Sequence, residues 1–348
     1  MCETRANALS SADVVAYLIE EGVLSRGGPE PTARPLGGGV SNDVFEVRAG
    51  DTCLVVKRPY ENLAVEDDWP ADVGRVHNEA AAARVYRRVV DAYEVRDIVV
   101  PAVRFEDRDE HLIAIDAAPL SAGMWKTDLL AGKVDETVGE VVGSFLGAAH
   151  EFAATESDVR EAFSNYTPFE QLRLDPYHAT VAERHPDVAP AIDAEIERIR
   201  DARSTLVHGD YSPKNVLIEG GDNRRVWLLD FEVAHWGDPA FDVAFMLNHL
   251  FIKSVYNADR NERYISTART FWDAYGDVTA VDAGFEANVV AELGVLALAR
   301  VDGKSPVEYV TAETTKDRLR TVAKTVLTTD AATLDSVVEI LRSEVEAE

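Results

Sequence analysis

Four oxygen-bearing side chains crowd into one stretch of this sequence. Leu206-Val-His-Gly-Asp-Tyr-Ser-Pro-Lys-Asn-Val-Leu217 is followed by Val226-Trp-Leu-Leu-Asp-Phe-Glu232, so Asp210, Asn215, Asp230 and Glu232 flank two short apolar runs. Residues 216–218 and 226–229 read as strands of a hairpin closed through Gly220-Gly221-Asp222-Asn223, which gathers the polar groups at one end of a buried ribbon. Magnesium takes hard oxygen ligands, usually one or two protein carboxylates with substrate phosphates and water. Asn215 and Asp230 can supply such ligands, leaving Asp210 to accept a proton from a hydroxyl that attacks phosphorus. Each residue alone would read as a turn residue capping a hairpin. The ordered string, with strands on both sides, is far more specific.

That string, His208-Gly209-Asp210 through Asn215 together with Asp230, resembles the aminoglycoside phosphotransferase and choline kinase superfamily, relatives of the protein kinases. The resemblance implies an α+β, two-lobed protein-kinase-like fold: a small N-terminal antiparallel-sheet lobe and a larger, mainly helical C-terminal lobe. It implies ATP and magnesium (Mg2+) as cofactors, Asp210 as catalytic base, Asn215 and Asp230 as metal ligands, and His208 as a packing residue that shapes the catalytic loop. Superfamily members also hold that loop by its backbone through an acid further on. Gly237-Asp238-Pro239 reads as a helix start with Asp238 as cap and Pro239 in first position, and Asp242 falls one turn in. A solvated helix carboxylate is the equal alternative for Asp242.

The nucleotide site then belongs to the N-terminal part. Leu36-Gly-Gly-Gly-Val-Ser-Asn-Asp-Val-Phe45 is a glycine-rich turn between strands. Gly37, Gly38 and Gly39 permit close backbone approach to phosphates, and Ser41 adds a hydroxyl. Three glycines alone are more often just a turn. No Gly-Lys-Ser/Thr follows them, so this is not a Walker arrangement. Lys57 closes a Val-Val-Lys strand, where kinases keep the lysine that grips phosphate oxygens, and Glu79 in the next helical stretch is its candidate partner.

Three patches are similar to 5-methylthioribose kinases. Asp230-Phe231-Glu232 carries a second carboxylate two residues after the metal aspartate, which adds Glu232 to the candidate metal set. Lys57-Arg58-Pro59-Tyr60 and Asp67-Asp68-Trp69-Pro70, with Arg75 and Glu79, resemble the tryptophan-bearing insert near the nucleotide. Ala299-Arg300-Val-Asp-Gly-Lys304 ends a helix where those kinases place paired arginines that contact the sugar. Here the pair is Ala299-Arg300, and Asn215 stands where those kinases usually lack asparagine. Arg300 and Lys304 are the candidate acceptor contacts, suited to hydroxyls or an anionic group; helix C-terminal residues complementing the dipole are the alternative. The expected acceptor is a small sugar, favouring a pentose that is either methylthioribose-like or ribose 1-phosphate-like. An aminoglycoside- or choline-type phosphotransferase is the second reading. A nucleotide-binding pseudokinase is the third, opposed by the presence of Lys57, Asp210, Asn215 and Asp230 together.

The elements that must position these groups are legible in outline. At 348 residues the chain exceeds a usual single core, and its texture changes near residue 118, giving lobes 1–117 and 118–348. A short amphipathic segment covers 12–22. Strand patterns cover 44–48, 53–57, 98–105 and 111–115, with a helical stretch at 73–91. Beyond 118 the apolar spacing is helical over 134–152, 189–202, 240–255, 261–275, 284–300 and 314–327.

Composition narrows the setting. The net charge is −27 and the acid is spread along the whole chain, with 8 Lys against 27 Arg. This reads as a halophile's solvated surface, and it opposes nucleic-acid binding because no basic footprint exists. No apolar run approaches the ~20 residues of a membrane span, and the N-terminus shows no secretory pattern. Cys2 and Cys53 give neither a disulfide framework nor a zinc spacing. A cytoplasmic enzyme acting on a small molecule is expected, with no nucleic-acid or membrane partner and a homodimer left open.

Overall fold

The computed structural model describes residues 9–25, 29–37, 41–64, 69–221, 224–329 and 331–346. Gly38, Gly39, Asp67, Asp68 and the hairpin tip Asp222-Asn223 lie outside the described residues.

Helix α1 (Ser11–Glu20) precedes strands β1 (Thr32–Pro35), β2 (Asn42–Ala49) and β3 (Thr52–Pro59). Gly50, at φ 61°, closes the β2–β3 hairpin, and the register pairs Phe45 with Val56 and Val47 with Leu54. Helix α2 (Arg75–Ala92) follows, then β4 (Ile98–Val99), β5 (Val103–Asp107) and β6 (Leu112–Asp116). The sheet is antiparallel in the order β1-β2-β3-β6-β5. Strand alternation gives it two apolar faces. Phe45, Val47, Leu54 and Val56 pack on Val14 and Leu18 of α1, whereas Ile113 and Ile115 pack on Val76 and Ala80 of α2.

The run 98–105, which reads as one strand, is two. Pro101 cannot donate to a ladder, and the chain parts there. β5 stays in the small sheet, but β4 pairs in parallel with residues 226–227 of the other part. Helix α2 is shared in the same way: Ala82, Ala83, Val85, Tyr86 and Val89 belong to the large core.

The larger part carries β7 (Gly123–Met124), β8 (Thr205–Val207), β9 (Val216–Ile218), β10 (Val226–Leu228) and β11 (His235–Gly237). These form a sheet β4-β10-β9-β7 and a separate pair β11-β8. Around them lie α3 (Glu136–Thr155), α4 (Ala189–Asp201), α5 (Pro239–Tyr256), α6 (Asn261–Gly276), α7 (Ala283–Asp302), α8 (Glu313–Thr328) and α9 (Leu334–Glu346). On α3, Gly139 and Gly143 admit the backbone of α6. A Cβ at Gly143 would stand 2.3 Å from the Phe271 carbonyl oxygen, so any larger residue would force the helices apart. Between α3 and α4 runs a π-helix, Glu170–Ala179, with Pro176 inside it.

Two inaccessible groups, one on that π-helix and one on α7, make a pH-dependent element. His178 Nε2 lies 3.0 Å from Glu292 of α7. Burial pushes Glu292 up to about 8 and His178 down to about 4, so at neutral pH a carboxylic acid donates to a neutral imidazole. Glu292 titrates higher in the fold than its unfolded value of 4.5. Its contribution is therefore present below the unfolded pKa and lost as pH rises toward 8. His178 contributes in the opposite sense, at lower pH, while Glu195, which burial pushes up to about 7 beside Glu292, adds its own titration to the window from 6.5 to 8. Across it the wild type should lose up to ~2 kcal/mol by denaturant titration, at ~1.4 kcal/mol per pH unit. Glu292→Gln should lose less, and an equally steep variant would refute the assignment.

Candidate active site

The loop after β8 turns sharply at Gly209, whose φ is +76°. A Cβ there would meet the Val233 carbonyl oxygen at 2.7 Å, so glycine is required both by conformation and by space. Asp242, fully buried in the first turn of α5, accepts from the His208 N–H (2.6 Å) and the Gly209 N–H (2.8 Å). Asp238 caps the same helix by accepting from the Ala240 N–H. Asp242 is therefore no solvated helix carboxylate. His208 is enclosed by the Tyr86, Tyr211 and Phe231 rings. Its Nδ1 accepts from the Asp210 N–H and its Nε2 faces the Leu229 carbonyl at 3.2 Å. Burial holds its pKa down. The ring is a neutral strut that sets the loop.

On that loop Asp210 is buried, with Oδ2 2.8 Å from Lys214 Nζ and Oδ1 3.2 Å from Arg173 Nη2. Burial alone would raise its pKa; Lys214 and then Arg173 outweigh it and hold the carboxyl below the usual range. The Arg173 contact lacks hydrogen-bond alignment, and Oδ1 is a buried acceptor with no donor. Asn215 donates its Nδ2 to the Asp210 carbonyl at 2.9 Å, which ties the two ends of the loop and leaves Oδ1 as its remaining ligand atom.

Asp230, after β10, adopts φ +71°, a strained choice for a non-glycine residue. It accepts from Lys57 Nζ at 2.9 Å, and the same ammonium donates to Glu79 Oε1 at 2.6 Å. Lys57 from β3 and Glu79 from α2 thus meet Asp230 from the larger part. Burial opposes charge on Lys57, but Asp230 and Glu79 together raise its pKa strongly. Lys57, then Lys214, hold Asp230 well below the usual carboxylate range against its burial.

Glu232 is engaged elsewhere. Its Oε2 accepts from Asn42 Nδ2 (2.9 Å) and Arg75 Nε (3.3 Å). Arg75, buried in the first turn of α2, also donates to the carbonyls of Ser41 (2.5 Å) and Tyr60 (2.9 Å). Glu232 and Arg75 therefore lock the chain leaving the glycine-rich turn onto the segment that follows Asp230. Trp69 donates Nε1 to the Gln171 carbonyl at 2.8 Å, pinning the insert to the π-helix. Among the described residues no three His, Cys, Asp or Glu side chains are grouped to hold a metal by themselves. A bound divalent ion would need other oxygens beside Asp230 and Asn215, which is the magnesium habit when phosphates complete the shell.

Between the two parts lies a cleft of about 340 Å³ lined by Leu36, Val44, Val55, Ile115, Leu217 and Leu229, with Lys57 also on its wall. It is a largely apolar slot, with Arg34, Glu46 and Asp116 also on its lining. Gly37 and Ser41 lie at the two described ends of the glycine-rich turn; Gly38 and Gly39 fall outside the described residues. Arg300 is nine-tenths buried, donating Nη1 to the Tyr177 hydroxyl and to Ser305. Lys304 lies on the loop after α7 with its N–H on the Pro176 carbonyl; its ammonium joins none of these contacts. Arg173 and Tyr177 fall in a stretch between residues 152 and 189 for which sequence reasoning names no element, and the structure makes part of it a π-helix with Pro176 inside. Sequence reasoning quoted Lys214 without giving it a role.

An antiparallel sheet and a helical part that meet at a Lys–Glu–Asp triple, with a buried aspartate on a glycine-turned loop, define a protein-kinase-like phosphotransferase. The family model described as phosphotransferase enzyme family (APH) matches residues 32–285, and the chain belongs to that family. It is 26% identical over 278 residues to a methylthioribose kinase of Exiguobacterium sibiricum, covering 70% of this chain and 68% of the relative. It is 22% identical over 227 residues to a 4-hydroxytryptamine kinase of Psilocybe cyanescens, covering 58% of this chain and 61% of the relative. The chain thus spans about two thirds of the length of these relatives. In fold it is similar to an amicoumacin kinase solved with AMP-PNP, Ca2+ and its ligand, at TM-score 0.55 and 13% identity over 93% of this chain and 98% of that one. No helix among the described residues is long and apolar enough to cross a membrane.

Proposed function

We propose that this phosphotransferase uses ATP and magnesium to phosphorylate a hydroxyl of a small sugar, a pentose of methylthioribose-like or ribose 1-phosphate-like kind. The observation that carries the reading is Asp210 Oδ1, a buried carboxylate oxygen without a donor, on a loop shared with Asn215 and close enough to Asp230 to feel its charge. Adenine fits the apolar cleft, and Gly37, Gly38, Gly39 and Ser41 remain the phosphate contacts that the sequence suggests. Lys57, held by Glu79, faces their oxygens. Asn215 and Asp230 are the metal ligands, and Glu232 has Oε1 to offer the ion or its water. When bound, the metal neutralises charge on the transferred phosphoryl group. Arg300 and Lys304 belong to the acceptor side. A dispersed surface charge of −27 suits a salty cytoplasm, so the assay is run at high salt.

The reading is tested by coupled ATP consumption over a panel of pentoses and nucleoside-derived sugars; no turnover with any of them would overturn it. Asp230→Ala and Asn215→Ala should each raise the magnesium concentration needed for half-maximal activity at least tenfold. Glu232→Gln should raise it less, because its Oε2 already serves Asn42 and Arg75. An unchanged magnesium requirement in the first two variants would put the metal elsewhere.

A further inference from the structure

The walls beside Asp210 hold a cluster of cations. Lys253, on α5, is fully buried, and its ammonium donates to the His249 carbonyl at 3.0 Å and approaches the Tyr309 hydroxyl at 3.4 Å. Among the described residues it has no carboxylate partner. Arg300, on α7, gives Nη1 to the Tyr177 hydroxyl, while its Nε is buried with no acceptor. Arg173 and Arg300 both stand over the Tyr177 ring, at 5.5 and 5.6 Å. Lys126 and Lys253 both stand over the Tyr309 ring, at 5.8 and 5.3 Å. His249 ties the two groups together, since Lys253, Arg300, Lys214 and Lys126 all act on it electrostatically and, with burial, keep it neutral.

The acids facing this group are few. Asp210 is shared by Arg173 and Lys214, and Glu308 pairs with Lys126 from a mostly exposed position. Asp230 also acts on Lys214 and Arg173, and Glu232 on Arg173, but Lys57 and Arg75 already hold these two acids, so cations remain in excess here in a chain whose acids outnumber its bases 62 to 35. A buried cation without a counter-charge is costly, and the proximity of Lys126 and Arg300, after burial itself, pushes Lys253 down to about 7. An arriving anion would relieve all of these at once, and a dianion matches the excess better than a monoanion.

We propose that the acceptor carries a phosphate monoester, seated against this cluster while its free hydroxyl reaches Asp210. This rests on the phosphoryl-transfer reading above and narrows it to sugar phosphates. Lys214 and Lys126, which reach solvent, touch the phosphate oxygens beside the half-buried Tyr309. Lys253 and Arg300 act from their places against the Tyr309 and Tyr177 rings. In the step itself the hydroxyl oxygen bonds to the γ-phosphorus, the bond from that phosphorus to the bridging β-oxygen breaks, and the proton passes to Asp210. The products are ADP and a sugar bisphosphate.

Calorimetry with the protein bound to a non-hydrolysable ATP analogue and magnesium tests this at fixed salt. Ribose 1-phosphate and ribose 5-phosphate are compared with ribose and methylthioribose. At least one pentose phosphate should bind a hundredfold tighter than its parent sugar. Lys253→Met, which is near-isosteric and removes a buried charge, and Lys126→Ala, on the rim, should each weaken that binding tenfold or more. Neither should change affinity for the unphosphorylated sugars or the analogue. Parent sugars that bind as tightly as their phosphates, or phosphate binding that both folded variants retain, would overturn the proposal. Failure of the transfer reading would show differently, as preferential phosphate binding with no magnesium-dependent ATP turnover.

Discussion

Asp210→Ala should lower kcat at least a hundredfold while nucleotide affinity changes less than threefold. In the proposed reading the carboxylate serves the acceptor side only: one oxygen faces Arg173 and Lys214 lies on the other, whereas the proposed nucleotide contacts run through Lys57 and Asp230. Its depressed pKa makes it a weak base in the ground state. In a loose phosphoryl-transfer transition state the hydroxyl keeps its proton until late, so orientation by an ionised acceptor matters more than basicity. A positioned proton acceptor contributes typically 10²–10⁴-fold. Asp210→Asn keeps the shape and one acceptor oxygen, so it should recover part of the positioning but not the proton uptake. Single-turnover kinetics with saturating ATP separates chemistry from binding. Retention of a tenth of wild-type kcat in Asp210→Ala, a barrier change of only ~1.4 kcal/mol, would remove Asp210 from the reaction.

What the sequence disclosed and what it hid follow from how the site is assembled. Asp210, Asn215 and Asp230 were legible because one loop and one hairpin carry them within 21 positions of each other, and the apolar strands between them announce their shared end. The Lys57–Glu79 contact needed only a strand followed by a helix. The cation cluster spans the π-helix, α5, α7 and the segment around Tyr309, so no local spacing reports it. Lys253 lies in a helix whose pattern reads as continuous core, and Arg173 sits three residues before a proline that argues for a break. The split of 98–105 had a visible cause in Pro101, but its consequence, a strand delivered to the other sheet, depends on residues 226–227. Glu232 shows the limit of motif reading. Its place beside Asp230 in sequence suggests the metal, yet one of its oxygens is taken by Asn42 and Arg75, residues distant in sequence.

The second large effect concerns the ammonium that joins the two parts. Lys57 is the cation between Glu79 and Asp230, with Glu79 Oε2 already buried and unpartnered. Lys57→Met keeps the stem and removes the charge, which leaves two carboxylates facing each other across a site that is mostly closed to water. Breaking a buried pair by deleting one partner costs about 3–5 kcal/mol when the other stays ionised. Glu79 would instead take up a proton at neutral pH, because burial already pushes it up and Lys57 is what pulls it back. The variant should therefore fold with a lower melting temperature, bind ATP at least tenfold more weakly, and lose at least a hundredfold in kcat/KM. Lys57→Arg tests whether charge alone suffices: a larger, planar guanidinium cannot take the place of one compact ammonium that donates to Glu79 and Asp230 in different directions, so activity should stay low. Glu79→Gln separates the two roles of the pair. It keeps Lys57 available to Asp230 and phosphate, so ATP affinity should fall less than in Lys57→Met. Equal losses in Lys57→Met and Glu79→Gln would mean that the pair only braces α2 against the sheet, and that Lys57 does not reach the nucleotide.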